Sequence, residues 1–414
     1  MLTEKEKLDK LTMLGVELNQ VKDLDILMER VLYDARRFVN ADAGSIYIRH
    51  ENSLDFTYTQ NDTLQNRLPP GEKLIYSTFS IPIDKRSIAG YVATTGRALN
   101  LPDVYKIEAT APYRFSKKFD ETSGYITRSV FTVPLKTARG DILGILQIIN
   151  AQDQSKQVVP FSKDDEKMML HFASIVAVAL ERAQMTRAIL LRMIRMSQLH
   201  DPKETGAHVN RVGGYAVELY EHWARRHQIE PKEIDRARDS LRMAAMLHDV
   251  GKVAISDLIL KKPGRFNNDE YEVMKQHTVL GARLFLDSQS DFDEAASQVA
   301  LTHHERWDGK GYPGYVDVAT GAPLAEFNQS DGTPRGKQGE EIPIFGRIVA
   351  LADVYDALSS ARVYKAAWDE SEVLAIIEKE AGHQFDPELV EIFFLCLNVL
   401  RSIQERYQDK QAKP

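Results

Sequence analysis

Eight side chains between Glu204 and Asp353 have the chemistry to hold metal ions: Glu204, His208, His248, Asp249, His277, His303, His304 and Asp353. Imidazole and carboxylate donors without a thiolate favour iron, manganese or a similar ion over structural zinc. A single helical histidine is more often a surface or core residue, so the pairings carry the inference. In His248-Asp249 the imidazole can bind one ion while the carboxylate bridges to a second, and two ions ~3.5–4 Å apart can clamp a phosphate and deprotonate water. His303 and His304 are adjacent; on a helix they point about 100° apart and would serve different ions of one cluster. Glu204 and His208 fall four apart, on one helical face, if Asp201-Pro202 supplies the N-cap and first turn of their helix. The chemistry indicated is metal-assisted hydrolysis at a site holding more than one ion.

The elements that must position these residues are helical. Apolar periodicity predicts helices over 201–227, 231–249, 267–287, 291–304, 346–361 and 369–402. The N-terminal half reads differently. Helical spacing through Leu11, Leu14, Leu18, Ile26, Leu27, Val31 and Phe38 gives way to period two at Ser45-Ile46-Tyr47-Ile48-Arg49, the mark of a half-buried strand. Further strands are expected over 78–83, 129–135 and 142–149, the last two separated by the turn Ala138-Arg139-Gly140-Asp141. Between the halves, Ser162-x-x-Asp165 resembles a capping box, and no breaker follows until Pro202. Positions 169, 172, 176, 179, 183, 186, 190 and 193 alternate steps of three and four, as a coiled-coil seam would. This connecting helix either pairs with a second copy or packs on its own domain, its central alanines making a weak seam.

Length and charge bound the rest. A chain of 414 residues exceeds one ordinary core, so two domains are expected. A net charge of −7 and a pI near 5.9 argue against a protein that coats DNA or RNA. An anionic substrate is still allowed, because bound cations dominate the local field. The one cysteine, Cys396, lies in an apolar run and reads as a buried thiol of a reducing compartment. No apolar run approaches the ~20 residues of a membrane span, so a soluble, cytoplasmic protein is expected.

Read in order, Glu204-Thr-Gly-Ala-His208, His248-Asp-Val-Gly-Lys252, His277, His303-His-Glu-Arg-Trp-Asp-Gly-Lys-Gly-Tyr-Pro313 and Ala350-Leu-Ala-Asp353-Val-Tyr-Asp-Ala-Leu358 resemble the HD-GYP family. That family comprises bacterial metal-dependent phosphodiesterases of the HD superfamily that open the cyclic dinucleotide c-di-GMP. The resemblance covers about 200 residues. It implies an all-α HD-type bundle in which the eight residues above bind two or three divalent ions, most often iron, alternatively manganese. Asp249 would be the bridge, and a carboxylate at Glu204 would favour three ions. It further implies that Lys252 contacts the substrate phosphate and balances charge on its oxygens, and that Arg362 and Lys365 also reach the phosphates. Gly309, Gly311, Tyr312 and Pro313 form the loop that names the family. Tyr312 would face either the ligand or a partner such as a diguanylate cyclase; a purely architectural turn is the alternative. One departure is a segment of Gly, Asp, Asn and Ser over 314–341, longer than the family's usual link and expected as an exposed loop near the site mouth.

The pattern over 24–182 resembles a GAF domain, an α+β fold with a central antiparallel sheet. The resemblance rests on Leu99-Asn-Leu-Pro-Asp103, Lys118-Phe-Asp-Glu121, Gly124-Tyr125 and Arg128-Ser129. It implies either a small-molecule sensor or a structural, dimerising module, with Phe119, Asp120 and Glu121 at the ligand or bracing the fold. The organisation expected is a GAF domain over 1–165, a connecting signalling helix over 163–199 and the HD-GYP domain over 200–414, in a homodimer. The implied activity is hydrolysis of c-di-GMP to pGpG, with GMP as the alternative end product, by metal-activated hydroxide under control of the GAF half. Competing readings are a non-degrading cyclic-dinucleotide receptor, a phosphodiesterase for 3′,3′-cGAMP, and another HD-type chemistry.

Overall fold

A computed structural model describes residues 4–69, 73–74, 79–200, 205–360 and 368–408. Contacts divide the chain into two units, Met1–Arg187 and Ala188–Pro414.

In the first unit, helices α1 (Glu4–Gln20) and α2 (Leu24–Phe38) replace the continuous periodicity of the sequence. The break has a local cause: the Asp23 carboxylate accepts from the backbone N–H groups of Asp25 and Ile26 and so starts a new helix. Strands β1 (Ala41–His50) and β2 (Ser53–Asn61) form a hairpin, followed by the single turn α3 (Asp62–Gln65), strand β3 (Phe79–Pro82), helix α4 (Ile88–Thr95) and strand β4 (Leu99–Leu101). Helix α5 (Lys118–Ser123) precedes β5 (Val130–Lys136), β6 (Ile142–Gln152) and β7 (Val158–Val159). The sheet runs β3-β2-β1-β6-β5-β4, antiparallel throughout, with β7 also on β6.

Alternation sorts the side chains of this sheet onto two faces. Ile46, Ile48, Leu146, Ile148, Phe131 and Val133 join one core with Leu27, Val31, Phe172 and Val176, whereas Tyr47 and Ile145 face Ala89 and Val92 of α4. β1 is therefore a central strand buried on both sides, not the half-buried strand its alternation suggested. Asp120 braces the fold: its carboxylate accepts from the Thr127 N–H and hydroxyl and from the Tyr105 hydroxyl, while Phe119 and Glu121 are exposed.

Helix α6 (Lys163–His200) contains the boundary between the units. Its start is capped as expected, with Asp165 N–H donating to Ser162 Oγ and Ser162 N–H to Asp165 Oδ2. The expected seam has a different fate. Met169, Phe172, Val176, Ala179 and Ala183 are buried in the core of the first unit, and Leu190 in a cluster of the second. The stripe thus packs on the chain's own domains, the alternative left open by its small residues.

The second unit is helical: α7 (Gly206–Arg226), α8 (Pro231–Met246), the short α9 (Asp257–Leu260), α10 (Asn268–Arg283), α11 (Asp291–Thr302), α12 (Ile344–Ser359), α13 (Glu370–Lys379), α14 (Pro387–Leu395) and α15 (Leu397–Arg406). Val212, Tyr215, Leu241, Ala245, Val299, Leu351, Tyr355 and Phe393 interlock in one core. The expected helix over 369–402 is three helices, because Asp386 caps a new one at Pro387 and the chain turns again at Cys396, whose thiol is buried. Among the described residues no helix is long and apolar enough to cross a membrane.

Candidate metal centre

The described candidate ligands stand at helix ends or, for His277 and Asp353, well inside a helix. His208 lies in the first turn of α7, where Thr205 Oγ1 accepts its backbone N–H at 3.1 Å. The helix therefore starts at a Thr205 cap, not at Asp201-Pro202, and Glu204 lies outside the described residues. His248 and Asp249 leave the end of α8, His277 stands in α10, and Asp353 in α12. α11 ends at Thr302, and His303, its C-cap, and His304 follow in a turn. Their donor atoms, expected to serve different ions, fall together in one group.

Two groups of donors result: Asp249, His277, His303 and His304, and His208, His248 and Asp353, the donor atoms within each group lying within 4.8 Å of one another. Asp249 joins them. Its Oδ1 is 3.2 Å from His277 Nε2 and 3.6 Å from His303 Nε2, while its Oδ2 is 3.4 Å from His248 Nε2. His208 and His248 in turn point Nε2 at Asp353 Oδ1, at 3.6 and 3.8 Å.

The way the rings are held shows what this convergence suits. His248 Nδ1 donates to the Ala245 carbonyl at 2.8 Å, His277 Nδ1 to Met274 at 2.7 Å, and His303 Nδ1 to Val299 at 3.0 Å. A carbonyl can only accept, so each Nδ1 carries the proton and each Nε2 presents a lone pair to the centre. Nε2 of His277 and of His303 and Oδ1 of Asp249 are buried with no hydrogen-bond partner among the described residues. Buried lone pairs aimed together repel unless a cation lies between them. The donor set therefore fits divalent metal ions.

Electrostatics agree. Burial holds the imidazoles of His303 and His304 below their ordinary range, so both remain neutral donors. Burial pushes the Asp249 carboxyl up, but its neighbours, the Lys252 ammonium first among them, overcome it and hold the group well below the carboxylate range.

A residue the sequence reading passed over supports His208. Asp356, one helical turn beyond Asp353, accepts from His208 Nδ1 at 2.8 Å and from Arg211 Nε and Nη2 at 2.6 and 2.9 Å. Its burial raises the carboxyl, yet His208 and Arg211 prevail and hold it low. The i+3 spacings of Asp353 with Asp356 and of His208 with Arg211 were the available signals.

Around the cluster, Lys252 places its ammonium on Asp249 Oδ2. Gly251 is obligatory here, because a Cβ would lie 1.9 Å from the His277 carbonyl oxygen. Tyr312 stacks on His304 with ring centroids 4.8 Å apart and planes 24° apart, ahead of a cis Tyr312–Pro313 peptide. Arg362 and Lys365 lie outside the described residues. The segment over 314–341 is a largely exposed loop, as expected, and it carries internal contacts: Tyr315 stacks on Phe327 at 3.7 Å, and Arg335 pairs twice with Glu341 at 2.9 Å. Glu305 staples both ends, accepting Gly314 N–H at 2.7 Å and Lys337 N–H at 3.1 Å, its carboxyl pushed up to about 7 by burial.

Comparison with known proteins gives the same division. The HD domain model matches residues 205–358 and the GAF domain model residues 23–180. A cyclic di-GMP phosphodiesterase of Vibrio cholerae is 40% identical over 211 residues, 50% of this chain and 39% of the relative. One of Thermotoga maritima is 35% identical over 223 residues, covering 54% of this chain and 53% of the relative. The 3′3′-cGAMP-specific phosphodiesterase 2 of V. cholerae is 37% identical over 190 residues, 46% of this chain and 31% of the relative. The chain thus spans roughly a third to a half of the length of these relatives. On its sequence, its helical C-terminal unit and its antiparallel N-terminal sheet, the chain carries a GAF domain followed by an HD domain.

Proposed function

We propose that this chain is a cytoplasmic signalling phosphodiesterase that hydrolyses c-di-GMP to pGpG or GMP, under the control of its GAF half. The observation that carries the reading is the placement of Asp249, with one oxygen toward His277 and His303 and the other toward His248. That placement suits a carboxylate bridging two ions. His277, His303 and His304 would hold one, and His208, His248 and Asp353 the other, with Glu204 a candidate for a third. Iron is the metal we favour, with manganese the alternative, because the donors are nitrogen and carboxylate oxygen. Such ions, when bound, polarise a phosphodiester and lower the pKa of water.

The chain's own residues supply the rest. Backbone carbonyls fix the histidine tautomers, and Asp356 with Arg211 locks His208. Lys252 has three donors, enough to hold Asp249 and also to balance charge on a bound phosphate. Arg362 and Lys365 are assigned to the outer phosphate oxygens. Tyr312, turned in against His304, is assigned to the substrate rather than to docking of a diguanylate cyclase. A relative specific for 3′3′-cGAMP favours that dinucleotide as the second reading. For Lys252→Ala we expect turnover to fall about 10- to 100-fold with metal content retained, since the side chain balances charge without being a ligand; elemental analysis beside initial rates checks this. The test of the function is chromatographic. Metal-loaded protein incubated with c-di-GMP should yield pGpG or GMP, and binding without turnover would instead support a receptor.

The domain division over 1–165, 163–199 and 200–414 and the homodimer belong to the same proposal. On α6, Val178 and Met185 are exposed seven residues apart, as are Ile189 and Met196. A second copy of this helix, in heptad register, would cover them. Met185→Glu with Ile189→Glu is expected to convert dimer to monomer in sedimentation analysis; an unchanged dimer would place the contact elsewhere. A small-molecule ligand of the GAF half remains part of the proposal, with Asp120 as a brace and not a contact.

A further inference from the structure

We propose that Tyr271 and Lys275 of α10 form a recognition site for a guanine base of the cyclic dinucleotide, an inference that rests on the substrate class proposed above. Aromatic rings run outward from the buried cluster in succession. His303 and His304 are 4.2 Å apart, His304 and Tyr312 4.8 Å, and Tyr312 and Tyr271 6.2 Å with planes at 78°. Tyr271 ends the row and is 44% exposed. A lone exposed aromatic is ordinary. This one stands beside a cation: the Lys275 ammonium lies 4.9 Å from the Tyr271 centroid and 5.7 Å from that of Tyr312. The ammonium also bonds Glu272 at 2.6 Å, a surface pair of the kind that exchanges readily with other acceptors.

The chemistry of the ligand completes the argument. A dinucleotide whose phosphate rests at the buried donors must send its bases outward, along the direction the rings take. Stacking on a tyrosine face tolerates any base and is worth roughly 5- to 150-fold in affinity. Lys275 adds the selectivity. Guanine presents two acceptors, O6 and N7, on one edge, whereas adenine sets an N6 donor beside N7 and so opposes an ammonium. The pair therefore favours c-di-GMP over dinucleotides with adenine at this position.

The test uses the full chain, metal-loaded, with c-di-GMP, the all-adenine 3′,3′-c-di-AMP and the base-free diester bis(p-nitrophenyl) phosphate. Tyr271→Ala should raise KM for c-di-GMP by about tenfold with kcat within about threefold, and lower the c-di-GMP to base-free preference by a similar factor. Tyr271→Phe should restore both. Lys275→Met should reduce the preference for c-di-GMP over 3′,3′-c-di-AMP, which sets adenine at the site in either orientation, by about fivefold or more. Wild-type protein that cleaves c-di-GMP, with Tyr271→Ala unchanged in KM or impaired equally on the base-free diester, overturns the inference alone. Wild-type protein that cleaves the base-free diester but neither binds nor cleaves any cyclic dinucleotide overturns the proposed function as well.

Discussion

Replacing His303 with alanine is expected to abolish metal retention and phosphodiester hydrolysis together, while the secondary structure of the helical unit persists. The ring is buried at the end of α11, its Nδ1 spent on the Val299 carbonyl, and its Nε2 lies 3.6 Å from Asp249 Oδ1. Removing it deletes a donor and leaves a carboxylate oxygen buried with one fewer counterpart. Loss of a group that merely orients a metal ligand typically costs 10- to 100-fold, so loss of the ligand itself should cost at least about 100-fold in activity. Elemental analysis, circular dichroism and initial rates on one preparation check all three parts. Full activity in metal-free His303→Ala protein would refute the assignment.

The second large effect falls on a residue that touches no ion. Asp356→Ala removes the carboxylate that offsets the buried Arg211 charge and fixes His208. Breaking a buried ion pair from one side costs about 3–5 kcal/mol, a large part of the stability of a domain this size. The shift should appear in the urea midpoint of the helical unit's transition. Metal affinity should fall about 10- to 100-fold through loss of His208 orientation. A midpoint within experimental scatter of the wild type would show that the Asp356 triad contributes nothing net.

The sequence exposed the donors because each is a rare residue type at a short, fixed spacing, such as His248-Asp249 and His303-His304. It could not show their grouping, which depends on where helices stop. The adjacency of His303 and His304 pointed to different ions of a cluster, whereas their donor atoms gather in one group with Asp249 and His277, a proximity only the packing of α8, α10 and α11 brings about. Thr205 shows the same limit: its side-chain cap, not the Asp201-Pro202 signal, sets the start of α7. β2 was legible but passed over: Leu54, Phe56 and Tyr58 alternate with Asp55 and Thr57, the period-two signal of a strand. The seam of α6 was legible as an apolar stripe, but periodicity alone does not say which partner covers it. The 314–341 segment was legible as an exposed loop by composition, but the Tyr315–Phe327 stack and the Glu305 bonds that tie it were not.

The measurement that bears most directly on the whole account is the metal content of anaerobically purified wild-type protein. If Asp249 bridges two groups of donors, the protein should carry about two transition-metal ions per chain or more, lost on chelation together with hydrolysis and restored by Fe(II) or Mn(II). Protein that contains no such metal, takes none up under reducing conditions and still cleaves the diester would contradict it.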